Sequence, residues 1–147
     1  MTSSLRPRNI QGDRITIQDV ETETLIYDER RHKAWCLNRS SASIWRLCDG
    51  QHTVAQIAAL AAVDLGSPVS EDLVLLTLEE LREKDLLEPQ TVEFPPRGLS
   101  RRQMISRVGL AATALLPVIA ALTAPPASAQ SGSTGTDDRV SGGYKEP

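Results

Sequence analysis

The chain has 147 residues, with 16 Lys and Arg against 19 Asp and Glu, which suits one small domain with appendages. Residues 1–99 carry 11 basic and 16 acidic side chains, a net of −5, and residues 100–147 carry 5 and 3, a net of +2; an acidic domain lacks the clustered cations that nucleic-acid binding needs. Cys36, Cys48, His32 and His52 include no CxxC and do not follow a zinc-finger spacing, so no metal and no cofactor is expected, and both thiols read as small buried groups.

Residues 1–13 are polar and aperiodic, and are expected to be a disordered N-terminus. RITIQDV then alternates Ile15 and Ile17 with polar neighbours, as a half-buried strand does. ETLIYD and KAWCLN are two further β-prone runs, and the charged ERRH between them predicts an antiparallel hairpin. In the second run Trp35 and Leu37 share one face, and Ala34 and Cys36 the other.

After Asn38 the period becomes helical. Ser40 or Ser41 offers a cap, Ile44, Leu47 and Cys48 follow at helical spacing, and Gly50 ends the helix. Thr53-Val54-Ala55-Gln56 is a capping box, backed by an apolar stripe of Val54, Ile57, Ala58 and Ala61 and closed by Leu65-Gly66. A third helix opens at Ser70, with Glu71 and Asp72 complementing its dipole, and runs through Leu73, Val74, Leu78 and Leu81 to about Asp85. A short extended piece, DLLEP, follows. With one Phe, two Trp and two Tyr, the core must be built mainly of aliphatic side chains. The expected fold class is α+β over residues 14–89, with residues 90–99 a proline-rich linker.

The run from Leu25 to Ala62, followed by VLLTLEELREKDLLE, resembles the PqqD family of small peptide chaperones, also called RiPP recognition elements. The pieces that carry the resemblance are Leu37-Asn38, Ile44-Trp45, Asp49-Gly50, Thr53-Val54 with Ile57, and Leu86-Leu87. It spans about Ile15 to Glu88. The resemblance implies a three-stranded antiparallel sheet on a winged-helix-like bundle of three helices. It also implies a non-catalytic role. Such proteins bind the leader of a ribosomally made precursor peptide and present it to a modifying enzyme, often a radical-SAM protein, as in pyrroloquinoline quinone synthesis.

The mode it implies is β-augmentation, an extended peptide pairing with an open sheet edge beside the third helix. HKAWCL has no proline, so Lys33, Ala34, Trp35 and Cys36 can offer a full ladder of backbone groups. Leu73, Leu76, Thr77, Glu80 and Lys84 lie on a helix face adjoining the core stripe of Val74, Leu78 and Leu81. These nine residues are the candidate peptide-binding set. Leu73 and Leu76 are equally readable as core, and Trp35, sharing the face of Leu37, as core rather than a platform for peptide.

No catalytic constellation, phosphate loop or HExxH is visible. Winged helices often bind DNA, so a regulator is the competing class. However, SEDLVLLTLEELREKD, the would-be recognition helix, has six acids and two bases, which opposes a phosphate backbone.

The C-terminal part has a different logic. Ser100-Arg101-Arg102 followed by Met104-Ile105 resembles a twin-arginine export signal, although Phe-Leu is the commoner pair at the last two positions. An apolar run from Val108 to about Leu122 follows, and Ala127-Ser128-Ala129 supplies small residues for cleavage before Gln130. Residues 100–129 are therefore expected to be an apolar helix inserted in the inner membrane. It would be a tail anchor or an internal export signal, with a buried core helix as the third reading. Arg97, Arg101, Arg102 and Arg107 would hold the domain in the cytoplasm. The tail, residues 130–147, would be disordered and outside, with an exported substrate segment fused to the domain as the alternative reading.

Overall fold

Strand alternation, helix caps and one shared apolar core account for the architecture. The computed structural model describes residues 5–89, 102 and 115–122. Three consecutive strands, β1 (Ile15–Val20), β2 (Glu23–Asp28) and β3 (Lys33–Leu37), precede helices α1 (Arg39–Leu47), α2 (Val54–Leu65) and α3 (Glu71–Glu83). A fourth strand, β4 (Ile119–Leu122), comes from the C-terminal part. All the strand pairings are antiparallel, and among the described residues the order is β1-β2-β3-β4.

Tight turns set the register. Glu21 takes a left-handed φ of 54° in the β1–β2 turn, whose register pairs Val20 with Glu23. At the β2–β3 turn the buried Asp28 carboxylate accepts the N–H groups of Arg30 at 2.9 Å and Arg31 at 3.2 Å. That satisfies two backbone donors which the turn would otherwise leave to solvent. Alternation then directs Ile26, Trp35 and Leu37 toward the helices, and all three are buried.

Each helix starts on a side-chain cap. The Thr53–Gln56 capping box forms as the residues require, and Gly66 closes α2 at φ 65°. Ser70 caps α3 through Leu73 N–H. For α1 the cap is Asn38 rather than Ser40 or Ser41, whose side chains lie buried in the first turn. Asparagine and serine are equivalent caps, and the strand ends one residue before Asn38, so the helix starts as early as it can. Ile44, Trp45, Cys48, Val54, Ile57, Ala61, Val74, Leu78, Leu81 and Leu86 meet Ile26, Trp35 and Leu37 in the core.

Four expectations change in the folded chain. From Leu5 to Ile10 the N-terminus is a packed arm, not a disordered one: Leu5 is buried in the core cluster and Asn9 is buried beside it. In the arm, Asn9 and Ile10 N–H donate to Cys48 O and Leu86 O, Pro7 O accepts Gly50 N–H, and Asn9 Nδ2 donates to Trp45 O at 2.9 Å. The end of α1 and the segment after α3 leave backbone groups that need such partners. Leu87 joins a single bridge to Asn9 instead of a strand. In β1 only Ile15 packs on the core, while Ile17 stays 48% exposed. It lines a cleft of about 290 Å³ with Asn9 and Ile10 of the arm and Trp45 and Arg46 of α1.

The last change is the fourth strand itself. Residues 119–122 are extended and paired, not part of an apolar helix, and among the described residues no helix is long and apolar enough to cross a membrane. Arg102 has helical backbone and is exposed. Arg101, Ala127 and Ala129, like the linker 90–99 and the tail 130–147, lie outside the described residues.

Candidate peptide-docking edge

The last strand of the hairpin, β3, is bordered by β2 on one side. Its other side is where the sequence places an incoming peptide. Trp35 is only 2% exposed and belongs to the core, so it is not a platform for peptide. Lys33 is exposed, and Ala34 and Cys36 are half-buried on the opposite face.

Cys36 Sγ donates to Glu23 Oε2 at 3.0 Å, across β2. Partial burial, followed by the Glu23 hydrogen bond and charge, pushes this thiol up to about 11, so it is protonated at neutral pH. Cys48 is fully buried, donates to Ile44 O, and is pushed up further, chiefly by burial. Neither is an activated nucleophile. Among the described residues no group of three or more His, Cys, Asp or Glu could hold a metal ion.

The free side of β3 is occupied by β4. Leu37 faces Ile119, Cys36 faces Ala120, Trp35 faces Ala121 and Ala34 faces Leu122. Asn38 N–H donates to Val118 O at 3.0 Å, which sets the phase of the ladder. By the alternation of antiparallel pairs, Cys36 with Ala120 and Ala34 with Leu122 are then the hydrogen-bonded pairs. Ile119 and Ala121 share the helix-facing side with Leu37 and Trp35, and Ile119 packs half-buried against the core.

A polar clasp fixes the start of the strand. Asn38 Nδ2 donates to Leu116 O at 2.9 Å, and its Oδ1 accepts Val118 N–H at 3.2 Å while also capping Ser41 N–H at 3.1 Å. Ser41 Oγ accepts Val118 N–H at 3.2 Å, and Ser40 Oγ donates to Asn38 Oδ1 at 3.2 Å. Pro117, between the two clasped residues, is buried. The bonds that Asn38 and Ser41 make to Leu116 and Val118 all go to backbone atoms, so the clasp holds an extended segment by its main chain in this register. It was not among the residues expected to bind peptide. The signal was present all the same: an Asn between a strand and a helix is a cap, and its amide has a donor left over.

The α3 residues of the expected set are distributed by depth. Leu73 and Thr77 are buried but lie outside the main hydrophobic cluster, and Thr77 Oγ1 donates to Leu73 O at 2.8 Å. Leu76, Glu80 and Lys84 are half-buried along the same face. This face is distinct from the stripe of Val74, Leu78 and Leu81, which is wholly in the core.

The positions that carried the sequence resemblance have structural roles. Trp45 Nε1 donates to Leu86 O at 3.0 Å, tying α1 to the segment after α3. Asp49 caps its own turn by accepting Gln51 N–H at 2.8 Å and His52 N–H at 3.1 Å, and these bonds hold its carboxyl below the usual range. Gly50 takes φ 79°, with its N–H on Pro7 O. No curated protein and no solved structure matches the chain. Residues 23–87, from the start of β2 to the bridge at Leu87, match the family described as Coenzyme PQQ synthesis protein D (PqqD).

Proposed function

We propose that this domain is a non-catalytic chaperone that binds the leader of a ribosomally synthesised precursor peptide as an added strand on β3. The peptide is presented there to a modifying enzyme of the radical-SAM type. The observation that carries this reading is that the β3 edge accepts an extended segment in antiparallel register, with the Asn38–Ser41 clasp holding its backbone. The family match supports it independently. Its description points to coenzyme PQQ synthesis, and a precursor of that type is one candidate for the leader.

The acidic α3, with Glu71 and Asp72 in its first turn, supports the peptide reading over a DNA-binding regulator. We also propose that the arginine-flanked apolar run of residues 100–129 directs the chain to the inner membrane, with the domain cytoplasmic and the tail periplasmic. Four arginines, Arg97, Arg101, Arg102 and Arg107, precede Val108 and none lies between Val108 and Ala129, which supports that orientation.

The test is titration of the full chain with leader peptides of precursors encoded beside it, and in parallel with duplex DNA. Leader binding at about micromolar affinity is expected. Binding of DNA without binding of any leader overturns the reading.

A further inference from the structure

We infer that residues 115–122 are an intramolecular ligand of the docking edge, so that a peptide arriving in trans binds by displacing them. The inference rests on the reading of β3 as a peptide-docking edge and adds the identity of its resident occupant. Three observations assign the role to this segment. It makes the same kind of contact that a docked peptide would make, a short antiparallel strand on the free side of β3. Its entry is fastened by side chains of α1 and its cap that bond only to its backbone. Its outward residues, Val118 and Leu122, remain 52% and 44% exposed, so the segment is held by ladder and clasp, with Pro117 buried and Ile119 half-buried beneath it. A strand held in this way can be exchanged.

The connection is long enough. Pro89 and Leu115 are separated by 25 residues of the same chain. Docking of the segment is therefore intramolecular and is governed by an effective concentration, not by the protein's own. A trans ligand sees only the fraction of molecules whose edge is open, and its apparent affinity falls by that fraction.

The occupant is also the end of the arginine-flanked apolar run. Backbone paired with β3 cannot at the same time satisfy itself within a membrane-spanning segment. Docked and membrane-inserted states of residues 119–122 are therefore exclusive, and a peptide that takes the edge frees the run.

The experiment uses the full chain, its Ala120→Pro variant, and a labelled synthetic peptide of residues 114–123 carrying a solubilising tail. Proline at 120 deletes the ladder N–H toward Cys36 and lies outside the core, so the domain itself stays folded. The variant is expected to bind the peptide at least about tenfold more tightly than the native chain. Amide exchange followed by NMR gives a second readout: Ala34 and Cys36 amides are protected in the native chain and unprotected in the variant. Equal peptide affinity for both chains overturns the inference. So does fast exchange of those amides in the native chain, or protection that appears only in a dimer. If the variant binds the residue 114–123 peptide but no precursor leader, the internal ligand stands and the leader-binding function falls.

Discussion

Asn38 serves two structures at once, and two substitutions separate them. Its Oδ1 caps α1 through Ser41 N–H, while Nδ2 and Oδ1 clasp Leu116 O and Val118 N–H. Asn38→Ala removes both functions; Asn38→Asp keeps a cap of equal quality and converts the Nδ2 donor into an oxygen facing the Leu116 carbonyl. Loss of the cap costs about 1 kcal/mol of global stability. With a urea slope of about 1 kcal/mol/M, that lowers the unfolding midpoint of Asn38→Ala by about 1 M. Asn38→Asp should leave the midpoint within about 0.5 M, since Asp caps as well as Asn and suits the helix dipole. The clasp acts on β4 alone. Losing the bond to Leu116 and gaining an oxygen–oxygen repulsion costs docking about 1–2 kcal/mol, which speeds exchange of the Ala34 and Cys36 amides roughly 5- to 30-fold. Urea unfolding followed by circular dichroism and NMR-detected amide exchange measure the two effects separately. The reasoning is refuted if both variants lower the midpoint equally, or if Asn38→Asp leaves exchange at Ala34 and Cys36 unchanged.

Val74→Asp places a charge without a partner in a fully buried site and should abolish the cooperative thermal transition. Leu76→Asp, at a half-buried position, should retain that transition and weaken leader binding; if it unfolds the chain, the α3 face is core. Gly50→Ala should cost about 1–2 kcal/mol in denaturant titrations, because φ is 79° there and the new Cβ would sit 2.9 Å from Arg8 Nε. The Asp49 carboxyl is held down by hydrogen bonds from Gln51 and His52, so its contribution is present at neutral pH and lost as pH falls below about 4. Asp49→Asn should therefore flatten the acid limb of the stability profile, and an unchanged limb would exclude that role. Cys36, at about 11, should react with a disulfide reagent at pH 8 far more slowly than a free thiol. Cys48 should react only on unfolding, and Glu23→Gln should speed labelling of Cys36 alone.

Local interactions made much of this protein legible in its sequence. The Thr53–Gln56 box, Ser70 and Gly66 define their helices through contacts within three or four residues, so propensity and spacing suffice. The hairpin of β2 and β3 is similarly local, and Trp35 falls in the core because alternation places it beside Leu37. What tertiary structure decided involves partners far apart in the chain. Asn9 looks like an arm residue until its amide is needed by Trp45 O, 36 positions away. Ile17 obeys the alternation of a half-buried strand, yet it stays 48% exposed beside a cleft that the arm and α1 leave open. The run ending at Leu122 is apolar enough to suit a helix, a membrane or a strand, and periodicity alone cannot choose among them. The unpaired backbone of β3 and the spare amide of Asn38 make the choice for residues 119–122, because an open sheet edge is satisfied by whatever extended segment can reach it.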